Sequence, residues 1–378
     1  MAGDLQTVQD IIPAGIIDLG LGDPPLSLLP LDLIRHAAEI RFAEGDPSIL
    51  QYGTEQGDGN FRLALAKFLS EGYGSPVDPA SLFITNGVSN ALDLICSLFT
   101  QPGDIIFVEE PTYFLALRIF NDHKLRVVPI PTDQNGLIIE ALEEKLVKFR
   151  PKFLYIIPTF QNPTGHTLTY ERRERLVQLC QEHDFNIVAD EVYHFLRFKE
   201  EPPKAFAAHT HIENVISLSS FSKILAPGLR LGWIQAHPGK VKRFVNCGLL
   251  DSGGGLNPFT SAIVRDILDS SKLQENIAKL AEIYRSRALV MDSALRQYLP
   301  MTTYAVPSGG YFFWVRLPGS LDGTTFHKKA ESFKVNFRPG IRFSSEEGMR
   351  DYVRLSYVYY EPDKLVEGVI RLKQCIES

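Results

Sequence analysis

The sequence predicts an α/β protein built around a mostly parallel β-sheet with helices on both faces. Short apolar runs that are typical of buried strands alternate along the chain with longer segments whose apolar residues repeat at helical spacing. The chain has 378 residues, which is enough for a large hydrophobic core and for two domains.

The predicted elements follow one another with short connections. An extended, turn-rich segment comes first at 16–30, where three prolines and two glycines exclude a regular helix. Strands are predicted at 82–85, 104–109, 125–130, 153–157, 185–189, 215–218, 231–236 and 352–356, with a turn and a further strand within 307–315. Helices are predicted at 31–43, 59–71, 86–99, 114–122, 138–149, 169–183, 239–250, 258–270, 272–299, 324–332 and 362–376.

Composition and charge narrow the class of protein. The net charge of −6 argues against a nucleic-acid-binding surface. The four cysteines are too far apart in sequence for a zinc pattern, and a disulfide framework is not expected, so we predict no metal site. Residues 1–4 lack the features of a signal peptide, and no apolar run approaches the ~20 residues that span a bilayer. These features predict a cytoplasmic enzyme without a membrane or nucleic-acid partner.

One stretch carries the most chemistry. Residues 219–233 read SSFSKILAPGLRLGW and follow an apolar run that is predicted to be a strand. The hydroxyls of Ser220 and Ser222 can donate to an anion, and Arg230 can bind it through two parallel bonds. Lys223 lies between them and can form a Schiff base. Pyridoxal 5′-phosphate (PLP) supplies both an aldehyde and a phosphate, although a surface turn with a solvated lysine explains this stretch equally well.

Four further residues lie where predicted strands meet loops or within a late strand. Asp190 ends an apolar strand, where it is costly unless it pairs with a cation such as a pyridinium nitrogen; a helix N-cap is the alternative. Asn162 is held extended by the proline that follows it, and its amide can donate to a phenolate oxygen. Tyr113 can stack on a planar ring or pack in the core. Arg354, taken alone, is typical of a surface ion pair.

Two loops complete the candidate site. Residues 86–90 read NGVSN and open a helix, so that free backbone amides there can bind an anion, although plain capping is the alternative. Val88 and Ser89 belong to this turn. Residues 51–57 read QYGTEQG, and Tyr52 is an aromatic residue that this loop either exposes or packs at its base.

Taken together and in order, these motifs resemble the class I/II aminotransferases, which are fold-type I PLP enzymes. Residues 219–233 resemble the PLP-lysine motif, and residues 158–165, which read PTFQNPTG, resemble the aminoadipate and aromatic aminotransferase branch. The resemblance spans about 16–376. It implies a seven-stranded, mostly parallel sheet in a large domain at 45–270, and a small α/β domain formed by 1–44 with 271–378.

The resemblance also implies a role for each residue. Lys223 would bind PLP and move the α-proton, Asp190 would pair with the ring nitrogen, and Tyr113 would stack on the ring. Asn162 and Tyr193 would bind its phenolic oxygen. The phosphate would be bound by Ser89, Ser220, Ser222, Arg230 and the backbone of Val88, and by Tyr52 from the partner of a homodimer. The substrate would contact Gly22, Asn162 and Arg354, with Arg354 on its α-carboxylate. The sequence departs from the family at Val88 and Asn90, where serine and glutamine are frequent.

The implied reaction moves an amino group from an L-amino acid to a 2-oxo acid. Two alternatives stay open: another PLP chemistry such as C–S lysis or γ-substitution, and a regulatory domain that resembles an aminotransferase. Residues 20–34 contain no lysine or arginine to bind a second carboxylate, and Arg35 and Arg41 are the first candidates beyond them. We therefore expect a preference for aromatic or large aliphatic substrates over acidic ones, in a pocket walled by Tyr113, Phe221, Phe312 and Tyr357.

Overall fold

The structure is a computed structural model that describes residues 9, 11–319 and 321–378. Residues 1–4, on which the prediction of a missing signal peptide rests, lie outside the described residues. The strands, in chain order, are β1 (Ile17–Asp18), β2 (Leu82–Thr85), β3 (Ile105–Glu110), β4 (Arg126–Asp133), β5 (Gly136–Leu137), β6 (Phe153–Ile156), β7 (Asn186–Asp190), β8 (Val215–Ser220), β9 (Gly232–Ala236), β10 (Phe312–Arg316), β11 (Val335–Asn336), β12 (Arg338–Pro339) and β13 (Tyr352–Ser356).

The α-helices lie close to their predicted positions. They are α1 (Leu31–Ala43), α2 (Gly59–Tyr73), α3 (Val88–Phe99), α4 (Phe114–Asp122), α5 (Ile139–Lys148), α6 (Tyr170–Glu182), α7 (Pro238–Val245), α8 (Gly248–Gly253), α9 (Pro258–Asp269), α10 (Lys272–Tyr298), α11 (Gly323–Ala330) and α12 (Pro362–Glu377). The prediction of a single helix at 239–250 is wrong. The structure has two helices there, α7 and α8, because Cys247 adopts an extended backbone between them.

Eight strands form the central sheet in the order β2-β9-β8-β7-β6-β3-β4-β5. The five strands from β8 to β4 in this order are mutually parallel, whereas β9 runs antiparallel to both of its neighbours. Seven strands match the predicted seven. The eighth, β5, has only two residues and pairs antiparallel with β4 after a tight turn in which Gly136 has a φ of 91°. The mostly parallel sheet is as the sequence predicts.

Both faces of this sheet are buried, which explains why its strands are apolar at nearly every position. Successive residues of a strand point to opposite faces. Thus Phe107 and Leu154 pack into one apolar cluster, with residues of α5 and α6, while Ile106, Val108 and Tyr155 pack into the other, with residues of α3 and α4. The two helical layers therefore cover both faces of the sheet. The loops at the ends of its strands remain free to form a site.

A second set of strands lies in the last third of the chain. The strands β10, β13 and β12 form an antiparallel sheet, and β1 pairs in parallel with β11. This pairing joins the N-terminal segment to the C-terminal part. The helix α1, which the predicted division assigns to the small domain, lies instead against α9 of the predicted large domain. There the buried Arg41 donates to Ala262 O and pairs with Asp266 at 2.8 Å. The division into 45–270 and 1–44 with 271–378 stays a prediction.

Within the described ranges, no helix is long and apolar enough to cross a membrane. The same part of the chain contains no cluster of three or more His, Cys, Asp or Glu side chains that could bind a metal ion.

Helix α5 offers a test of this packing with two adjacent residues. Leu146 is fully buried in the cluster beneath the helix, whereas the neighbouring Val147 is 78% exposed. We expect Leu146→Ala to lower the free energy of unfolding by about 2–5 kcal/mol, because it removes buried methyl groups and leaves a cavity. Val147→Ala is the control and should change it by less than about 0.5 kcal/mol. Urea unfolding followed by circular dichroism measures both, and equal effects would contradict the assigned faces of α5.

Candidate active site

The predicted polar residues converge on one edge of the central sheet. The strands β2, β3, β6, β7 and β8 point the same way, so the loops after them leave from the same edge, where α/β proteins commonly bind ligands. Since β9 runs antiparallel, the residues before it lie at this edge too. The edge therefore collects Val88 and Ser89 after β2, Tyr113 after β3, Asn162 after β6, Asp190 and Tyr193 at and after β7, Ser220, Ser222 and Lys223 at and after β8, and Arg230 before β9.

The amine of Lys223 points into the protein and meets the N-terminal segment. Its Nζ donates to Gly22 O at 2.7 Å and lies 3.6 Å from Asp23 Oδ1. It also lies 5.3 Å from the centre of the Tyr311 ring. Burial lowers the pKa of Lys223, and the Asp23 carboxylate partly opposes this by favouring the charged amine. A larger share of this lysine is therefore neutral than of a solvated one at the same pH.

Asp190 is a buried carboxyl group with one strong hydrogen bond. The hydroxyl of Tyr155 donates to its Oδ2 at 2.9 Å, and the Val192 amide lies 3.4 Å from Oδ1. Burial raises the pKa of Asp190 to about 6, although the Tyr155 hydroxyl acts in the opposite direction. The group is thus an anion at neutral pH, and a cation beside it would recover the cost of desolvation.

Arg354 is buried on β13 and lies under two aromatic rings. Its Nη1 donates to Asn162 Oδ1 at 2.9 Å and its Nη2 donates to Gly20 O at 2.7 Å. Its Nε–H is buried and has no hydrogen-bond partner among the described residues. The guanidinium carbon lies 3.9 Å from the centre of the Phe312 ring and 5.0 Å from that of Phe343. Burial lowers the pKa of Arg354 to about 10, so the group remains charged at neutral pH.

The N-terminal segment runs between these two cations. Asp18 fixes its start, because Oδ1 accepts the Gly20 amide at 2.7 Å and Oδ2 lies 3.4 Å from Arg338 Nη1. Gly20 O then meets Arg354, and Gly22 O meets Lys223. A Cβ atom added at Gly22 would lie 3.5 Å from the Phe312 ring and 3.8 Å from Arg354 Nη2. The predicted Gly22 therefore lies in direct contact with the predicted carboxylate site.

Two tyrosines lie among the aromatic residues of the site. Tyr193 is buried, with its ring 5.4 Å from that of Tyr311 and 6.2 Å from that of Phe312. Tyr113 is partly exposed and meets Phe114 edge-on. Burial raises the pKa of Tyr113 to about 12 and raises that of Tyr193 further, so both phenols keep their protons at neutral pH. Each can therefore donate a hydrogen bond.

The start of α3 and the turn before β9 form a site with many donors. Gly87, with a φ of 89°, caps the helix, and no side chain caps its free amides. Arg230 Nη2 donates to Asn86 O at 3.1 Å, and a Cβ atom at Gly87 would lie 3.0 Å from that nitrogen. Ser89 is exposed at the first turn of the helix. An anion at this point would meet helix amides and a guanidinium.

The serines before Lys223 lie beside this donor-rich end. Ser220 ends β8 and is buried, and its Oγ accepts the Ser222 amide at 3.2 Å. This bond tightens the turn that carries Lys223 out of the strand. Ser222 directly precedes Lys223, and Ser220 lies three residues before it.

The structure leaves Tyr52 outside this group of contacts. Its side chain is 84% exposed. Its loop lies against the glycines that follow α8, since Gly53 bridges Gly255. After them Asn257 donates to the carbonyl oxygens of Leu229 and Arg230. The Tyr52 loop is therefore connected to the Arg230 turn, although Tyr52 itself extends from the surface.

Two buried residues at the site, Glu109 and Gln161, were not among the site residues that the sequence predicts. Glu109 is buried at the end of β3, where its Oε2 accepts the Ile157 amide at 2.8 Å and lies 3.3 Å from Gln161 Nε2. Gln161 Oε1 in turn accepts the amide of Thr164 at 2.9 Å, which holds the loop that carries Asn162. Burial raises the pKa of Glu109 to about 8. A glutamate inside an apolar strand was the available signal.

The two arginines that could serve a second carboxylate are engaged elsewhere. Arg41 is buried between Glu44 and Asp266 beside α9, and Arg35 is exposed and pairs with Asp32 at 3.0 Å. Phe221 and Tyr357 are fully buried against other rings, and only Phe312 among the expected aromatic walls beyond Tyr113 contacts Arg354.

The donor set suits PLP chemically. The buried amine of Lys223 can bind an aldehyde, the buried Asp190 carboxylate can pair with a protonated ring nitrogen, and the start of α3 with Arg230 can bind a phosphate. The orphaned Nε of Arg354 can add a bond to a carboxylate.

Comparison with known proteins identifies the family. Residues 14–369 match the family model of aminotransferase class I and II. Aromatic-amino-acid aminotransferase 1 of Thermococcus litoralis is 36% identical over 96% of this chain and 88% of its own length. The crystal structure of Pyrococcus horikoshii kynurenine aminotransferase, in complex with PMP, KYN and KYA, is 34% identical and has a TM-score of 0.91 over 97% of this chain and 91% of that chain.

A third relative was solved with a cofactor adduct. The α-aminoadipate aminotransferase of Thermus thermophilus, complexed with N-(5′-phosphopyridoxyl)-L-leucine, is 31% identical, with a TM-score of 0.87 over 96% of this chain and 92% of that chain. The family match and these likenesses agree with the fold and with the donor set at the sheet edge. The chain therefore belongs to the class I and II aminotransferases, which are PLP-dependent enzymes.

Proposed function

We propose that this aminotransferase moves the amino group of an aromatic or large aliphatic L-amino acid to a 2-oxo acid at the site between Lys223 and Arg354. The observation that carries the proposal is that both cations donate to one short segment, Arg354 to Gly20 O and Lys223 to Gly22 O. An amino acid has a carboxylate and an amine joined by one carbon. The two cations lie along the same three residues of backbone, so one can bind the carboxylate of an amino acid while the other acts at its amine end.

PLP, when bound, supplies an aldehyde that condenses with amines and a ring that accepts the electron pair released when the α-proton leaves. Lys223 would hold the cofactor through its amine. Once released by a substrate amine, the Lys223 amine would be placed to take the α-proton and to give a proton back to the same molecule. Its burial favours this role, because a lowered pKa leaves more of the neutral amine that a base requires.

Asp190 keeps the cofactor ring protonated in this proposal. Its carboxylate is buried and charged at neutral pH, so a protonated ring nitrogen is the partner that recovers its desolvation cost. The Tyr155 hydroxyl holds the carboxylate in place through Oδ2. Tyr113 would cover the ring, and Tyr193 and Asn162 would donate to its phenolic oxygen.

Arg354 binds the substrate α-carboxylate. Asn162 holds one edge of its guanidinium, and the rings of Phe312 and Phe343 exclude water from its faces. A buried and pre-oriented guanidinium pays little ordering cost when the carboxylate arrives, and the pair is strengthened by the low local dielectric. The segment carrying Gly20 then adjusts as its carbonyl loses one donor.

The walls of the site support a neutral substrate side chain. The faces of the Arg354 guanidinium are covered by the aromatic rings of Phe312 and Phe343, and the next guanidinium along the sheet, Arg338, is already paired with Asp18 at 3.4 Å. An anionic side chain would find no unpaired arginine among Arg35, Arg41 and Arg338. The relatives named for aromatic amino acids and kynurenine are consistent with such a pocket.

The surface around Arg230, where the cofactor phosphate would bind, supports a homodimer in which Tyr52 reaches the site of the partner subunit. Arg230 is exposed, and the surface beside it carries exposed apolar side chains, with Leu50 at 75%, Tyr52 at 84% and Leu249 at 59%. Apolar side chains grouped on one face are typical of a contact with another chain. A second copy of this chain would cover them and close the phosphate site with a phenolic hydroxyl.

Single-turnover reactions test the proposed reaction without a choice of acceptor. We expect phenylalanine, methionine and leucine to convert the PLP form with release of the matching 2-oxo acid, and to exceed glutamate and aminoadipate in kcat/KM by about tenfold or more. Cofactor absorbance and mass spectrometry of the products are the measurements. Lys223→Ala should lose the absorbance of the lysine-bound cofactor and slow the reaction by roughly 10²–10⁴-fold or more. Release of methanethiol and ammonia from methionine, or of hydrogen sulfide and ammonia from cysteine, would instead assign C–S lysis, and no reaction with any donor would reject catalysis.

Mixing of two defective chains tests the proposed dimer. Tyr52→Ala and Lys223→Ala homodimers should each be impaired, the first through weak PLP binding. If Tyr52 crosses the interface, each mixed dimer contains one site with both residues intact, and activity should reappear on mixing. Native mass spectrometry confirms that the subunits have exchanged. Exchange without recovered activity would show that each site is built within one chain.

A further inference from the structure

The Asp23 side chain lies at the reacting end of the site and has no role in the chemistry described above. Its Oδ1 is 3.6 Å from Lys223 Nζ, and its side chain is 47% exposed. Among the described residues, Lys223 is the one cation within ion-pair distance of Asp23. The Asp23 carboxylate therefore has its ion pair with the same amine that must bind the cofactor.

The course of the backbone places this carboxylate at the amine end of the span that a substrate would occupy. Gly20 O meets Arg354 and Gly22 O meets Lys223, so residues 20–22 connect the two cations, and Asp23 follows at the Lys223 end. A substrate with its carboxylate at Arg354 and its amine at Lys223 would run along the same span. Its α-carbon is bonded to that amine, so its side chain would begin one bond from the atom nearest Asp23.

Engagement of Lys223 by the cofactor would leave Asp23 without the one cation that lies within ion-pair distance of it among the described residues. Arg338 pairs with Asp18, and Arg354 donates to Asn162 and would bind the α-carboxylate, so neither of these two cations is a partner for Asp23. Like charges brought together in a partly buried site repel strongly, whereas an amine or N–H group would be attracted.

We propose that Asp23 is a specificity-determining residue that disfavours anionic side chains and accepts side chains with an amine or another N–H donor at their end. This inference rests on the proposed function of the site and adds the group that selects the substrate. It assigns the discrimination against dicarboxylic amino acids to a repulsive charge rather than to the mere absence of an arginine.

Inert substrate analogues test the proposal apart from catalysis. Glutarate and glutaramate have nearly the same shape and differ in one distal charge, and neither has an amine to react. We expect wild-type holoenzyme to bind glutaramate about tenfold more tightly than glutarate, a difference of about 1.4 kcal/mol. The preference should fall to within about threefold in Asp23→Asn and should weaken as salt is raised. Titration of the cofactor absorbance measures the four dissociation constants.

Two variants control for other effects. Asp32→Asn removes a carboxylate from the exposed start of α1, where it pairs with Arg35, and should keep the wild-type preference. Asp23→Glu keeps the charge and should keep the preference as well. An unchanged preference in Asp23→Asn would overturn the proposal, and weaker PLP binding with the same preference would show that Asp23 serves only as a counterion of Lys223. A shift in preference without any transamination would instead support the role of Asp23 and reject the proposed function.

Discussion

The site depends on two hydrogen bonds from one buried and one partly buried cation to the backbone of one N-terminal segment. Arg354 lies on a strand near the C-terminus, and Lys223 lies after β8, yet they donate to Gly20 O and Gly22 O, 334 and 201 residues away in sequence. A buried cation is costly unless polar groups surround it. The carbonyl oxygens of a segment that cannot form a helix provide such groups. The same bonds join the last third of the chain, the central sheet and the N-terminal segment at one point.

Burial then shifts the pKa of the buried ionisable groups of the site, downward for an amine and upward for a carboxyl group. It lowers the pKa of Lys223, which favours a neutral amine, and raises the pKa of Asp190 to about 6, which still leaves an anion at neutral pH. It also raises the pKa of Glu109 to about 8, where that group holds the loop of Asn162 by hydrogen bonds. Groups with opposed shifts that lie at one sheet edge are typical of active sites. The proposed division of roles between base, ring partner and loop support follows from these environments.

The sequence predicts the fold well where a pattern is long enough to read. Helix α4 and strand β13 have the predicted bounds, and in α4 a strong apolar repeat lies between turn residues at both ends. The two-residue strands β1 and β11 could not be predicted, since two residues carry no periodicity. Polar residues at strand ends are predictable because parallel strands bring their ends together. The position of Asp23 beside Lys223 is not predictable from the sequence, since it depends on how a segment without regular structure crosses the site. For the same reason the sequence could not show that Arg35 and Arg41 pair with carboxylates elsewhere.

The central claim is that Arg354 binds the substrate carboxylate while Lys223 acts on the same molecule. Phenylalanine and 2-phenylethylamine differ only in that carboxylate, so the ratio of their single-turnover rate constants in wild type and Arg354→Gln tests the claim directly. We expect wild type to prefer phenylalanine strongly, and Arg354→Gln to lose this preference by about a hundredfold or more while it retains the absorbance of bound cofactor. An unchanged ratio in Arg354→Gln with cofactor bound would contradict the account.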